Sequence, residues 1–247
     1  MKQLQDRVAV VTGASNGIGR AIAEAFAAEG AKTVLVARRA AVLDDVAKGI
    51  RAKGGTALVA AADVTKETEV VGVFAKTMEA FGRVDILVNN AGVPSATPTE
   101  ETTLAQWQDV LDVNVTAVFL CSREAVKVMK EQGGGRIINM GSISAITPRP
   151  HSIGYTTTKF AIEGMTHSLT RDGRAYGVVA SVIRPGATAT SFVGGKPPGP
   201  GATPEDYIMS PDDIARVAVL MCALPPEVNL YDATILPNHQ PSFIGRG

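Results

Sequence analysis

Short apolar segments alternate with longer segments of helical period along most of this chain. The apolar runs predict seven strands, at 8–11, 33–36, 57–61, 85–88, 136–140, 178–183 and 233–236. Between them, apolar residues recur every three or four positions, as on one face of a helix. This spacing predicts helices from Ile18 to a stop at Gly30 and at about 40–52, 67–81, 103–132, 155–176 and 212–223. Strands alternating with helices indicate an α/β fold, with a parallel, doubly wound sheet flanked by helices on both faces.

The pattern predicts a single domain over 1–247, because neither a linker nor an internal repeat divides the chain. One long segment, 191–211, is rich in Gly and Pro and has no period. A loop of this length inside a domain is usually a functional lid or a disordered segment. We therefore expect a substrate-binding loop at about 191–210.

Composition narrows the class of protein. Hydrophobic residues make up 45% of the chain, charged residues 19%, and the formal net charge is zero. This composition supplies a buried core and argues against disorder and against electrostatic binding of nucleic acid. The chain has no apolar run long enough to span a membrane and no signal-peptide core at its N-terminus. Its two cysteines, Cys121 and Cys222, lie in apolar segments without metal-ligand spacing, which predicts buried free thiols, no metal site and a cytoplasmic protein.

A glycine turn follows the first predicted strand and opens the first helix. Its spacing is G-x-x-x-G-x-G. Glycine permits positive φ and close approach of a ligand to the backbone, and the free N–H groups of a helix N-terminus attract phosphate. The turn is either a dinucleotide-binding turn, which we favour, or a tight structural turn. The residues of the favoured site are Gly13, Ser15, Asn16, Gly17, Ile18 and Gly19.

The end of the second strand bears on the choice of cofactor. An acidic side chain there accepts hydrogen bonds from the ribose 2′-hydroxyl of NAD, whereas an arginine accommodates the 2′-phosphate of NADP. Here Arg38 and Arg39 follow the strand and no carboxylate is present. The pattern favours NADP(H) over NAD(H); the alternative is two solvated basic residues.

Tyr155 and Lys159 are candidates for acid–base chemistry. Their spacing of four places both on one face of a helix. A phenol beside an ammonium is a usable proton donor, because a positive charge within about 4–6 Å favours the phenolate. Alone, the pair is equally typical of a surface tyrosine beside a solvated lysine.

Taken together, the motifs resemble the short-chain dehydrogenase/reductase family. The resemblance runs from Val8 to about Leu236. It rests on the glycine turn that starts at Thr12, on Asp63-Val64, Asn89-Asn90-Ala91-Gly92, Asn114, Ser142, Tyr155-x-x-x-Lys159 and Pro185-Gly186. It implies a Rossmann-type sheet and an NADP(H)-dependent carbonyl reductase or alcohol dehydrogenase acting on a small ketone or secondary alcohol.

The resemblance also implies roles for four catalytic residues. Tyr155 would be the general acid in reduction and the base in oxidation, and Lys159 would stabilise its phenolate and bind the nicotinamide ribose. Ser142 would hydrogen-bond the substrate oxygen, with Ser144 as a competitor. Asn114 would hold a water that passes protons to Lys159, or would be a helix-interior asparagine bonded to backbone.

Further cofactor contacts follow from the same resemblance. Asp63 and Val64 would flank the adenine. The pocket behind the ribose and nicotinamide would be lined by Asn90, Ala91 and Gly92. The nicotinamide would be covered by Pro185, Gly186, Thr188 and Thr190. Asn16 departs from the pattern, since NADP-preferring relatives often have a basic residue there.

Substrate contacts are expected from 144–153, 94–96 and the 191–210 loop, which we expect to close over the cofactor. Arg149 would pair with a substrate carboxylate through its fork or lie in solvent, and His151 is an exposed loop histidine or a proton exchanger. The family implies a homotetramer or homodimer packed through 103–132 and 155–176. An apolar stripe on the first of these helices serves that interface or the core: Val115, Val118, Phe119, Ser122 and Val126.

Other functions remain open at the level of the sequence. One is a 3-oxoacyl-type reductase or hydroxy-acid dehydrogenase of the same family. Another is an NADP-sensing regulator without turnover, although such proteins usually lose Ser142, Tyr155 or Lys159. A third is epimerisation or dehalogenation, but dehalogenating relatives lose the glycine turn that this chain retains.

Overall fold

The computed structural model describes residues 2–190, 208–238 and 240. Its strands are β1 (Val8–Thr12), β2 (Lys32–Ala37), β3 (Thr56–Ala61), β4 (Ile86–Asn89), β5 (Gly135–Met140), β6 (Val178–Pro185) and β7 (Asp232–Ile235). Within the described residues these seven strands form one sheet in the order β3-β2-β1-β4-β5-β6-β7, and all neighbouring pairs are parallel. The predicted doubly wound sheet is confirmed, and each strand lies within two residues of its predicted bounds.

The helices that cover the sheet are α1 (Gly17–Ala28), α2 (Ala40–Ala52), α3 (Glu67–Phe81), α4 (Leu104–Leu111), α5 (Ala117–Glu131), α6 (Ile153–Gly173) and α7 (Pro211–Ala223). Short 3-10 helices lie at Thr99–Glu101, Ile143–Ala145 and Arg174–Tyr176. The helical stretch predicted over 103–132 is present from Leu104 to Glu131, but a π turn at Asp112–Thr116 separates α4 from α5. The helix predicted over 155–176 begins earlier, at Ile153, and gives way to a 3-10 turn after Gly173.

The core lies on both faces of the sheet. Since both faces are covered, the strands are nearly continuous apolar runs, and all five residues of β1 are buried. Ala9 and Val11 pack with residues of α1, α2 and α7 on one face, whereas Val8 and Val10 pack with residues of α3 and α5 on the other. Cys121 and Cys222 are buried free thiols, as predicted.

The sheet has a switch point between β1 and β4. β1 pairs with β2 on one side and with β4 on the other, so successive connections turn in opposite directions from this point. In doubly wound sheets a crevice opens there, beyond the carboxyl ends of the strands. In the described part of the chain, no helix has both the length and the apolar character needed to cross a membrane.

Candidate active site

The glycine turn between β1 and α1 has a backbone that only glycine adopts without strain. Gly13 has a φ of +65° and Gly17 a φ of +53°, in the left-handed region that other residues disfavour. A Cβ atom at Gly13 would lie 2.7 Å from the Asn90 side-chain nitrogen, and one at Gly19 would lie 2.5 Å from the Gly13 carbonyl oxygen. The turn therefore needs glycine both for its conformation and for its space.

Hydrogen bonds fix this turn to the loop that follows β4. The Thr12 hydroxyl accepts the N–H groups of Asn90 at 2.9 Å and Ala91 at 3.1 Å, and it donates to the Val88 carbonyl at 3.2 Å. The Asn90 side chain donates back to the Thr12 carbonyl at 3.1 Å. The loops after β1 and β4 thus form one unit at the switch point. Sequence reasoning did not assign this role to Thr12, although the residue stands at the end of β1.

Arg38 and Arg39 follow β2, Asp63 follows β3, and the charge of Arg38 acts on the Asp63 carboxylate. Both arginines are exposed. The Asp63 carboxylate accepts the N–H of Thr65 at 3.0 Å and its hydroxyl at 2.8 Å. Burial alone would raise the pKa of Asp63, but these hydrogen bonds and the charges of Arg38 and Lys66 outweigh it and lower the pKa. A guanidinium and a fixed carboxylate therefore stand together at this edge of the crevice.

The segment after β6 lies against the glycine turn. A Cβ atom at Gly17 would lie 3.2 Å from the Thr190 methyl carbon, so Thr190 packs on the start of α1. The buried Thr188 donates its hydroxyl to the Gly186 carbonyl at 3.0 Å. The Gly186 N–H donates to the main-chain carbonyl of Ile235 at 2.7 Å and so continues the pairing of β6 with β7. Two of the segments predicted to hold the cofactor are therefore in contact.

Tyr155 and Lys159 lie together on α6, as their spacing predicts. The Lys159 nitrogen is 5.3 Å from the centroid of the Tyr155 ring, and each residue is 8% exposed. The ammonium donates to the carbonyl of Met140, the last residue of β5, at 2.7 Å. The surface alternative for this pair does not describe the structure, because both side chains are buried at the crevice.

Ser142 lies two residues beyond β5 and caps the 3-10 helix at 143–145. Its hydroxyl oxygen accepts the N–H of Ser144 at 3.1 Å. The Ser144 backbone thus orients the Ser142 side chain, while the Ser144 side chain is itself buried. Both serines belong to the turn that leads from β5 toward Tyr155.

Asn114 is buried inside the π turn. Its side-chain oxygen accepts the N–H of Val93 at 2.8 Å, and its side-chain nitrogen donates to the Val93 carbonyl at 3.0 Å and to the Thr158 hydroxyl at 3.2 Å. The Asn114 side chain is thus bonded to backbone, as one of the two alternatives expected. That backbone belongs to the loop after β4 and not to the helix that contains Asn114. Gly92 approaches the same amide, since a Cβ atom there would lie 3.3 Å from the Asn114 oxygen.

The rim of the crevice combines the loop after β4 with the turn before α6. A Cβ atom at Gly154 would lie 3.3 Å from the Ser95 hydroxyl, so these two predicted substrate segments touch. Arg149 and His151 are exposed, and His151 has a φ of +58°. The third predicted segment is the 191–210 loop, of which residues 191–207 lie outside the described residues.

The predicted interface stripe divides between two environments. Val118 and Ser122 are buried within this chain, whereas Phe119 is 50% exposed. The core interpretation therefore applies to Val118 and Ser122, whereas an interface role for the exposed Phe119 stays a prediction.

The residues present fit a phosphate-bearing dinucleotide. The glycine turn leads into the N-terminus of α1, a type of site that binds phosphate, and Arg38 is a fixed cation directly after β2. Tyr155 and Lys159 lie at the opposite side of the same switch point. Such an arrangement suits binding of a nicotinamide dinucleotide and proton transfer to a carbonyl.

The chain is similar to known proteins over most of its length. The model of the short chain dehydrogenase family matches residues 7–199. The chain is 39% identical over 193 residues to the 3-oxoacyl-(acyl-carrier-protein) reductase of Synechocystis sp., covering 78% of each protein. It is 34% identical over 227 residues to the 3alpha-hydroxysteroid dehydrogenase of Mediterraneibacter gnavus, covering 89% of this chain and 91% of the relative. The crystal structure of a metagenomic short-chain oxidoreductase in complex with NADP is 32% identical with a TM-score of 0.83, covering 96% of this chain and 99% of that one.

Proposed function

Because the chain belongs to the short-chain dehydrogenase/reductase family and is an oxidoreductase, we propose that it is an NADP(H)-dependent carbonyl reductase or alcohol dehydrogenase. The observation that carries the proposal is the buried pair of Tyr155 and Lys159 on α6, together with the buried Ser142 on the turn that leads from β5 toward Tyr155. In a buried site the Tyr155 hydroxyl would act on a substrate carbonyl, and the ammonium would act on the phenolate, without competition from bulk water. The substrate class is a ketone or the corresponding secondary alcohol.

The bound nicotinamide would supply or accept the hydride. In reduction, the Tyr155 hydroxyl donates a proton to the carbonyl oxygen, and in oxidation its phenolate accepts one. The Ser142 hydroxyl donates a hydrogen bond to the same oxygen, where negative charge develops. Lys159 would stabilise the phenolate and bind the nicotinamide ribose.

Asn114 would act through its main chain. Both hydrogens of its side-chain amide are already donated, to Val93 and to Thr158. We propose that the main-chain carbonyl of Asn114 holds a water on the proton route to Lys159. This assignment reconciles the two alternatives that the sequence left open for Asn114.

The cofactor is proposed to extend across the switch point from the glycine turn to Tyr155. NADP(H) is favoured over NAD(H) because Arg38 and Arg39 follow β2 and no carboxylate stands there, and because a relative at 32% identity was solved with NADP. The phosphates would contact Gly13, Ser15, Asn16, Gly17, Ile18 and Gly19. The remaining contacts would come from Asp63, Val64, Asn90, Ala91, Gly92, Tyr155, Lys159, Pro185, Gly186, Thr188 and Thr190.

A second candidate is a 3-oxoacyl-type reductase or hydroxy-acid dehydrogenase. It is favoured by the exposed Arg149 on the turn before α6 and by the similarity to the Synechocystis reductase. Both candidates use the same catalytic residues and differ in the group attached to the carbonyl. An NADP-sensing regulator without turnover is the third possibility, and activity measurements exclude or select it.

We further propose a cytoplasmic homotetramer or homodimer. Buried free thiols at Cys121 and Cys222 suit a reducing compartment, and the exposed apolar side chains of Phe119 and Phe160 offer an interface on α5 and α6. Light scattering that gave a monomer mass would contradict the oligomer.

The test of the proposed function is a substrate panel of ketones, aldehydes, diketones and 3-oxo acids. The absorbance of reduced nicotinamide is followed with NADPH and NADH in parallel. We expect turnover with NADPH preferred, and Tyr155→Phe should lower it about 10²-fold or more while NADPH still binds. The matched control is Tyr176→Phe, which alters an exposed tyrosine outside the crevice. Binding of NADPH without turnover of any panel member would favour the sensing regulator.

A further inference from the structure

Thr158 stands between Tyr155 and Lys159 on α6 and is completely buried. Its hydroxyl donates to the Tyr155 carbonyl at 2.7 Å and accepts the side-chain N–H of Asn114 at 3.2 Å. A hydroxyl has one hydrogen and two acceptor lone pairs. The hydrogen is therefore used within α6, and an acceptor lone pair binds a residue 44 positions away in the chain.

The Asn114 amide links Thr158 to a third segment. It accepts the N–H of Val93 at 2.8 Å and donates to the Val93 carbonyl at 3.0 Å. Because its second hydrogen goes to Thr158, the planar amide is held by partners on both sides. The loop after β4, the π turn and α6 are thus joined by three hydrogen bonds that converge on one buried side chain.

The position of Asn114 inside the π turn makes its hydrogen bond to Thr158 hard to replace. A π turn inserts one residue into a helix and changes the direction in which its neighbours project. Asn114 lies inside that turn and is 2% exposed, so water does not replace a lost partner. Removing the Thr158 hydroxyl would leave a buried N–H without an acceptor or force the amide to turn.

We propose that Thr158 is a positioning residue for the reaction, acting through Asn114 and the Tyr155 main chain. The inference rests on the proposed function, since it assigns the proton route to Asn114 and the acid to Tyr155. Thr158 sets the orientation of the Asn114 amide and thereby the position of the π-turn backbone relative to Tyr155 and Lys159. Small displacements of catalytic groups have large effects on rate, so we expect the loss to fall mainly on kcat.

The test compares variants that differ only in the hydroxyl. Thr158→Val keeps the shape of the side chain and removes the hydroxyl; Thr158→Ser keeps the hydroxyl and removes the methyl. Thr158→Ala removes both the hydroxyl and the methyl. If the valine variant does not fold, comparing Thr158→Ala with Thr158→Ser gives the effect of the hydroxyl. The control is Thr77→Val, because Thr77 is also completely buried and donates to the carbonyl of Val73 at 2.7 Å within α3.

We expect Thr158→Val to lower kcat by about tenfold or more with KM changed by less than about twofold. Thr158→Ser should retain most of kcat, and Thr158→Ala should lose it as the valine variant does. Thr77→Val should lower the melting temperature and leave kcat near that of the wild type. A kcat within about twofold of wild type in Thr158→Val, or an equal loss in the serine and alanine variants, would overturn the inference.

A second readout does not depend on turnover. Amide hydrogen exchange at Val93 reports whether the Asn114 amide still holds the loop after β4. We expect faster exchange at Val93 in Thr158→Val and Thr158→Ala than in Thr158→Ser or Thr77→Val. If the wild-type enzyme turned over no substrate, the proposed function would fail, and unchanged Val93 exchange in Thr158→Val would separately refute the positioning role.

Discussion

Arg38 is the single residue on which cofactor preference depends most directly. It is exposed at the end of β2 and acts electrostatically on Asp63. A guanidinium bound to a phosphate makes charge-assisted hydrogen bonds, each stabilising by about 1.5–3 kcal/mol. We therefore expect Arg38→Ala to raise the KM for NADPH about tenfold or more, with the KM for NADH changed by less than about twofold. Initial rates with each cofactor measure this effect.

The control for Arg38→Ala is Arg171→Ala, which removes an exposed arginine near the end of α6. It should leave both KM values unchanged. Equal increases for NADPH and NADH in Arg38→Ala would place Arg38 at a part of the dinucleotide that the two cofactors share. No change with either would return Arg38 to the alternative of a solvated basic residue.

The two cysteines give a prediction about reactivity. Burial raises the pKa of Cys121 to about 12, with a smaller contribution from the Glu124 charge. Burial also raises the pKa of Cys222 to about 12, against the charges of Arg136 and Arg7. Because the thiolate is the reactive form, we expect neither thiol of the folded protein to react rapidly with a disulfide reagent at pH 8.

Absorbance of the released thiol measures this reactivity. Two equivalents should appear only after unfolding, since the chain has two cysteines. A Ser168→Cys variant, which places a thiol at an exposed position of α6, should add one fast-reacting equivalent. Rapid labelling of the folded wild type would show that one of the buried thiols becomes accessible to solvent.

Residue positions within one element were predictable, but contacts between distant segments were not. The Tyr155–Lys159 pair was found because a spacing of four on a helix fixes which side chains share a face. Val93 and Thr158 were missed because their hydrogen bonds to Asn114 span 21 and 44 positions. No local pattern in the sequence records such a pairing.

At the scale of whole elements, the spacing of apolar residues did not predict the π turn. Apolar residues continue at helical spacing through 103–132, so the pattern predicted one helix. The turn at Asp112–Thr116 changes the hydrogen-bond register within that stretch. π turns are frequent at functional sites, and here the turn holds Asn114. A buried asparagine in the middle of an apolar helix was the available signal.

Three glycines inside helices differ in the space that an added methyl group would enter, and this difference predicts opposite effects on stability. Gly49 in α2 and Gly72 in α3 are exposed, and a Cβ atom at either would meet nothing within 4 Å. Replacing a helix-interior glycine by alanine stabilises by about 0.5–1 kcal/mol. Gly49→Ala and Gly72→Ala should each raise the free energy of unfolding by that amount in urea titrations. Gly173→Ala should lower it, because its Cβ would lie 2.5 Å from the Val178 carbonyl oxygen.

The three glycine substitutions can be compared directly because they make the same chemical change. All three substitutions add the same methyl group to a residue of a helix, and they differ in the space that receives it. If Gly173→Ala were as stable as Gly49→Ala, the approach of α6 to the start of β6 would have to be looser than described. If Gly49→Ala were destabilising, the exposed face of α2 would have to be covered by something else.

The whole fold follows from few rules. Apolar runs of strand length alternating with helices predicted the layers, and right-handed crossovers predicted the doubly wound topology. The position of the crevice then follows from the switch point between β1 and β4. What sequence patterns do not encode is how the loops are held, such as the bonds from Thr12 to Asn90 and Ala91.

The distribution of charge over the molecule leads to the last prediction. The chain has a formal net charge of zero, yet the rim segments 86–99 and 141–162 contain no Asp or Glu. The second of them contains Arg149, His151 and Lys159, the first two being exposed. Because these two segments carry Arg149 and Lys159 and no carboxylate, we expect an anionic substrate to be attracted to this part of the crevice.

We therefore expect a 3-oxo acid to be a better substrate than its methyl ester, and Arg149→Gln to abolish most of that difference. Loss of one charge-assisted pair corresponds to about a tenfold fall in kcat/KM for the acid, with the ester changed less than about twofold. Arg171→Gln, which removes an exposed arginine outside the rim, should leave the ratio of acid to ester unchanged. Because exposed charges are screened by salt, the preference for the acid should also shrink as ionic strength rises. If acid and ester were equally good at low salt, the positive rim would have no part in selecting the substrate, and neutral ketones would be the class to pursue.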